Sequence, residues 1–124
     1  MAKTIMYVAG VVFIVLGLIG FVNNPILGIF QVNALHNLVH IASGVLALVF
    51  ASQGESQARR YALILGIVYA LVTILGFLVG DGKILGLVAI NGADNILHLV
   101  LTVVFLIVGL KKPAGSSGMA SSSM

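Results

Sequence analysis

Two histidines four residues apart, His36 and His40, stand in a chain of 124 residues that has only three histidines and three acidic side chains. Asp94 and His98 repeat that spacing further along. On a helix, an i, i+4 pair lies on one face, so each pair can aim both side chains at one point. Three imidazoles and one carboxylate would form a tetrahedral donor set for zinc or another divalent ion. Four asparagines accompany them: Asn33 and Asn37 beside the first pair, Asn91 and Asn95 beside the second. These eight residues are nearly all the polar side chains inside otherwise apolar runs.

The same residues admit a structural reading. Asn33 and Asn91 stand just before helical runs, where an asparagine caps the helix. Asp94 is then three residues in, where a carboxylate favours the helix dipole and completes a capping box. A cap accounts for Asp94 without any metal, and His36 holds the equivalent place near water. His40 and His98 lie about 10 Å further in at 1.5 Å per residue. Imidazoles at that depth mark a functional site or a hydrogen-bonded polar network with Asn37, Asn95 or a backbone carbonyl.

What must position them is a set of apolar segments. The chain is 60% hydrophobic and 7% charged, with a mean hydropathy of +1.23. A soluble domain carries about a quarter charged residues, so the bilayer is the natural solvent. Four apolar runs, residues 5–22, 34–52, 61–80 and 92–110, each approach the roughly 20 residues that a spanning helix needs. The first run exceeds a signal-peptide core and lacks a small-x-small cleavage pattern after it, which predicts a retained helix. In lipid each run must satisfy its own backbone, which makes it helical. Short links make neighbours antiparallel. The fold class expected is an all-α membrane protein with four transmembrane helices. Residues 1–112 form the domain, and the Gly/Ser/Met tail 113–124 is expected to be disordered.

The links read as follows. Asn23-Asn24-Pro25 signals a turn, and the short apolar segment 26–32 after it is expected to lie in the interface. Residues 53–60 read as an aqueous loop, with Glu55 a loop charge beside Arg59 and Arg60. The third link carries Asp81 as a solvated turn residue, then residues 84–90, which echo the first dip. Antiparallel spans put Lys3, Arg59, Arg60, Lys111 and Lys112 on one side, and Lys83 alone on the other. The excess of positive charge predicts both termini in the cytoplasm and a multipass protein of the plasma (inner) membrane.

The halves of the chain are alike. Residues 26–50 align with 84–108 at a shift of 58, and eight of the 25 positions are identical, Asn33/Asn91, Asn37/Asn95 and His40/His98 among them. The preceding helices align at a shift of 56, with Gly10 matching Gly66 and Gly20-Phe21 matching Gly76-Phe77. Two tandem helix-loop-helix repeats, 5–52 and 61–110, would each hold two spans and insert in parallel orientation. One face of the second run carries Asn33, Asn37, His40, Gly44, Ala47 and Ala51. The fourth run carries Asn91, Asn95, His98, Thr102, Phe105 and Gly109 in the same places. Shorter stripes, Gly10, Phe13, Gly17, Gly20 and Gly66, Tyr69, Thr73, Gly76, mark the other two. Small residues permit close backbone approach, so helices two and four are expected to meet through their stripes.

The Ile-Leu-Gly dip, Val32-Asn33-x-x-His36-Asn37-x-x-His40, Ala58-Arg59-Arg60-Tyr61 and Asn91-x-x-Asp94-x-x-Leu97-His98 resemble the domain of unknown function 4383 family, over about residues 5–110. The resemblance implies a small bacterial four-helix membrane protein and carries no settled activity.

Several classes fall away. The chain contains no cysteine, which removes disulfides, thiolate sites and cysteine nucleophiles. The net charge of +3 is scattered over run ends rather than gathered in a basic stripe, which argues against nucleic acid as a partner. The chain carries no P-loop, GxGxxG or Ser-His-Asp order. The reading from sequence is a non-enzymatic structural or interaction protein with no cofactor assigned. Its partners would be the lipid bilayer and a homo-oligomer or another membrane protein. The rival is a metal- or haem-binding protein through His36, His40, Asp94 and His98. A third reading is a small transporter or channel subunit acting as an oligomer.

Overall fold

The computed structural model describes residues 1–111. It holds four long helices, α1 Ala2–Val22, α2 Ala34–Ser52, α3 Glu55–Val79 and α4 Gly92–Leu110, and two short strands, β1 Gly82–Ile84 and β2 Val88–Ile90. All four helices are long and apolar enough to cross a membrane. Lys112 and the tail expected to be disordered lie outside the described residues.

α2 and α4 match the expected runs, whereas α1 and α3 begin earlier than the hydropathy pattern predicts. α1 starts at Ala2 rather than residue 5, and α3 at Glu55 rather than residue 61. The expected aqueous loop 53–60 shrinks to Gln53 and Gly54. Gly54 makes this possible with φ +115°, a conformation that side chains other than hydrogen resist. Glu55 is a cap rather than a loop charge. Its carboxylate accepts from the backbone N–H of Ala2 (2.8 Å) and Lys3 (2.9 Å), and pairs with the Met1 amine at 3.1 Å. A carboxylate at a helix N-terminus satisfies donors that the helix cannot pair itself.

The two apolar dips are tight turns. In each, a leucine and a glycine take positive φ: Leu27 and Gly28 at 54° and 71°, Leu85 and Gly86 at 53° and 72°. Such a pair of residues closes a hairpin with the right-handed twist of its arms. Around the second turn β1 and β2 pair antiparallel, Lys83 opposite Ala89. Around the first there is a single bridge, Ile26 to Phe30. Among the described residues, the small hairpin and the Ile26–Phe30 bridge are the departures from an all-α architecture.

The close helix contacts lie within each half of the chain. A Cβ on Gly44 would come within 2.6 Å of the Gly10 carbonyl oxygen, and one on Gly10 within 2.8 Å of Leu48. In α3 and α4, a Cβ on Gly66 would meet Leu106 at 2.7 Å. Gly44 of α2 therefore serves α1, not α4 as the stripes suggest. Rings fill the seam between the halves. Phe13 stacks on Tyr69 with centroids 5.7 Å apart and meets Phe105 at 6.0 Å. Phe50 stacks on Tyr61 at 5.0 Å, and the Tyr61 hydroxyl donates to the Ser43 carbonyl at 2.9 Å. Such ring pairs contribute about 0.5–1.5 kcal/mol each beyond their buried area. Bulky side chains in the seam hold those backbones apart.

The outward faces carry Val8, Val15, Leu18, Leu71, Ile74 and Leu78, all exposed. A continuous apolar surface of this extent is what lipid solvates and water does not.

Candidate functional site

Both expected caps are present. The Asn33 side chain accepts from the His36 N–H at 2.9 Å, and Asn91 accepts from the Asp94 N–H at 3.0 Å. Asp94 returns the favour to the Asn91 N–H at 2.9 Å, completing a capping box. Each asparagine amide also reaches the turn of the other half. Asn33 donates to the Leu87 carbonyl at 2.9 Å and Asn91 to the Ile29 carbonyl at 2.8 Å. Asp81, expected as a solvated turn residue, accepts from the Gly92 N–H at 3.1 Å.

Asn37 and Asn95 are buried against glycines. A Cβ on Gly20 would collide with the Asn37 amide, and one on Gly76 with the Asn95 amide. Asn95 donates to the Gly76 carbonyl at 3.0 Å. Asn95 thereby fastens α3 to α4, Asn37 packs in the same place between α1 and α2, and neither lines the histidine cavity.

The three histidines come together. His36, His40 and His98 are all buried, and each offers one ring nitrogen such that these atoms lie within 4.8 Å of one another. Ring centroids are 4.5 Å apart for His36 and His40, 5.6 Å for His36 and His98, and 6.3 Å for His40 and His98. Asp94 does not join them; its carboxylate is held by the cap. The first helical turn of α2 delivers His36, its second turn His40, and α4 delivers His98 from across the seam.

Ring chemistry separates the three. His36 Nδ1 lies 2.6 Å from the Ala89 carbonyl oxygen. A carbonyl can only accept, so Nδ1 carries the proton, and in the neutral ring Nε2 keeps its lone pair for the cluster. This is the arrangement that orients metal-binding histidines. His40 and His98 are unlike a hydrogen-bonded core pair. None of their four ring nitrogens has a partner. Leaving a buried polar group unpaired costs about 1–3 kcal/mol.

The cluster borders a cavity of about 150 Å³, which Tyr69, Ser43 and the aliphatic side chains of Val39, Val68, Val72, Ile84 and Val88 also line. The Tyr69 hydroxyl is buried beside the Ser43 side chain, without a well-formed hydrogen bond. Sequence reasoning put Tyr69 on an interior stripe but assigned neither it nor Ser43 to the site. No local spacing connects a residue of α3 to histidines on α2 and α4; only the packing does.

Fold and site together define a four-helix protein, of membrane-crossing length and apolarity, that encloses a polar cluster at one end. The family model described as Domain of unknown function (DUF4383) matches residues 3–111, and the chain belongs to that family. No curated protein and no solved structure matches it.

Proposed function

We propose that this is a multipass plasma-membrane protein that binds a d-block metal ion at His36, His40 and His98. One observation carries the reading: the ring nitrogens of His40 and His98 are buried and unpartnered, and one nitrogen from each of the three histidines lies within 4.8 Å of the others. A purely structural polar network would consume those nitrogens in hydrogen bonds. A metal ion uses their lone pairs, and imidazole suits zinc, copper, iron and nickel. Haem is disfavoured on size, since a cavity of about 150 Å³ is below the roughly 300 Å³ of even a small organic-ligand pocket. The role is binding rather than catalysis.

The same proposal sets the protein in the membrane. The N-terminus of α1, the start of α3 and the end of α4 lie together: Met1 touches both Glu55 and the Lys111 amine. Short links favour antiparallel neighbours, and the distribution of basic residues supports both termini in the cytoplasm and the caps at the outer end. The reciprocal bonds of Asn33 and Asn91 relate equivalent atoms under the shift of 58. They support two repeats in parallel orientation about an axis along the membrane normal.

Metal analysis of detergent-purified protein, with thermal melts before and after chelation, tests the site. Stripping should lower the melting temperature, and adding back the ion should restore it. In the His98→Gln variant the melt should no longer respond. A melt indifferent to chelator and to added zinc, copper and nickel overturns the proposal.

A further inference from the structure

We infer that the cavity beside the histidines is a receptor pocket for a small neutral apolar molecule, of the diatomic-gas class, which arrives through the bilayer and binds the metal. The inference rests on the three-histidine reading and names what that site would hold besides the ion.

The walls decide the chemistry of the occupant. The cavity, of about 150 Å³, touches all three histidines, and Val39, Val68, Val72, Ile84 and Val88 supply most of the remaining wall. No carboxylate, lysine or arginine lines it. A charged or strongly hydrated ligand would lose its water there without recompense. An apolar cavity of about this volume stays dry and accepts guests as large as xenon or benzene. Where the histidines meet it, the ring nitrogens of His40 and His98 are buried and unpartnered. Three protein nitrogens leave a tetrahedral ion one position for an outside ligand. A neutral diatomic such as carbon monoxide or dioxygen fits the space and can also bond to the metal.

The halves differ where this space is kept. Under the shift of 58, Val39, Ser43 and Val88 answer to Leu97, Leu101 and Phe30, and under the shift of 56 Val72 answers to Leu16. All four lining residues are smaller than their counterparts. The repeated frame is therefore left open on one side, between α2 and α3. Unfilled space forgoes contacts and costs stability, and an occupant gives that cost a purpose.

The same wall offers the route. Val39 and Val68 line the cavity, yet they are 43% and 46% exposed on the outward faces of α2 and α3. The pocket thus borders the lipid side, and apolar molecules favour lipid over water.

The test is to load the full chain in detergent micelles with Cu(I) under reductant, add carbon monoxide, and read the infrared C–O stretch and the bound copper. Coordination forms a copper–carbon bond and breaks none, and no electron or proton is transferred. Wild type should show a band from copper-bound carbon monoxide, and His40→Gln should lose band and copper together. Ser43→Leu and Val88→Phe install the residues that the other half carries. Both should keep copper and bind carbon monoxide roughly 10-fold or more weakly, because they fill the space the guest needs. If copper binds through the histidines but wild type gives no band, or both filled variants bind carbon monoxide as wild type does, the pocket inference falls and the histidine site stands. If folded wild type binds no copper, the pocket inference falls; if it refuses zinc and nickel as well, so does the histidine reading.

Discussion

The two halves of this chain use the same backbone devices and differ where the cavity is built. Each has a leucine-glycine turn, an asparagine cap that crosses to the other half, and an asparagine seated on a glycine. At the third helical position the first half has His36 and the second Asp94. The aspartate turns back to its own helix end; the histidine reaches the Ala89 carbonyl and faces the cluster. At the next difference the first half has Phe13 and the second Tyr69. Matched residues thus hold the frame and supply His40 and His98, and the unmatched His36 joins them from the first half alone.

The largest expected effect breaks the frame. Gly44 meets α1 so closely that Gly44→Leu should cost about 3 kcal/mol or more, or prevent folding. Its counterpart Thr102 donates to the His98 carbonyl at 2.8 Å, and Thr102→Val should cost only about 1 kcal/mol. Unfolding in a denaturing detergent measures both. Equal costs would make the small stripe an interface between the halves after all.

Next comes the difference at positions 36 and 94. With free ion at one hundred times its Kd, a bound metal stabilises by about 2.7 kcal/mol. His36→Gln should abolish that increment, and Asp94→Asn should leave it intact while weakening the cap. Melts with and without zinc decide the matter. An Asp94→Asn variant that loses the metal response would return the carboxylate to the site.

A smaller effect tests the likeness. Asn33→Ala and Asn91→Ala each remove a cap and a bond to the other half, so each should cost about 1–2 kcal/mol. Thermal stability of the two variants should agree closely. A large inequality would mean that the crossed bonds are not equivalent.

The smallest effect concerns an asymmetry at the other end. Glu55 caps α1, whereas no side chain caps α3. Glu55→Gln should cost under about 1 kcal/mol, because the site is exposed. Salt should diminish the loss, and a melt series in increasing salt would show it.

The sequence by itself determined the four helices, because apolar runs of that length have one stable form in lipid. It also determined the caps. Asn33, Asn91 and the box of Asp94 depend on residues three apart, and a local rule reads them. The turns were harder: residues 84–90 read as a dip, because positive φ at a leucine has no signature in hydropathy. Which side chains meet across helices was decided by the tertiary structure alone. Gly44 of α2 is compatible with any close neighbour, and only the fold assigns it to α1. Asp94 and the histidines share a spacing, yet the cap takes the carboxylate and the seam gathers the imidazoles. Tyr69 arrives from a third helix, where spacing along one helix says nothing about distances between helices.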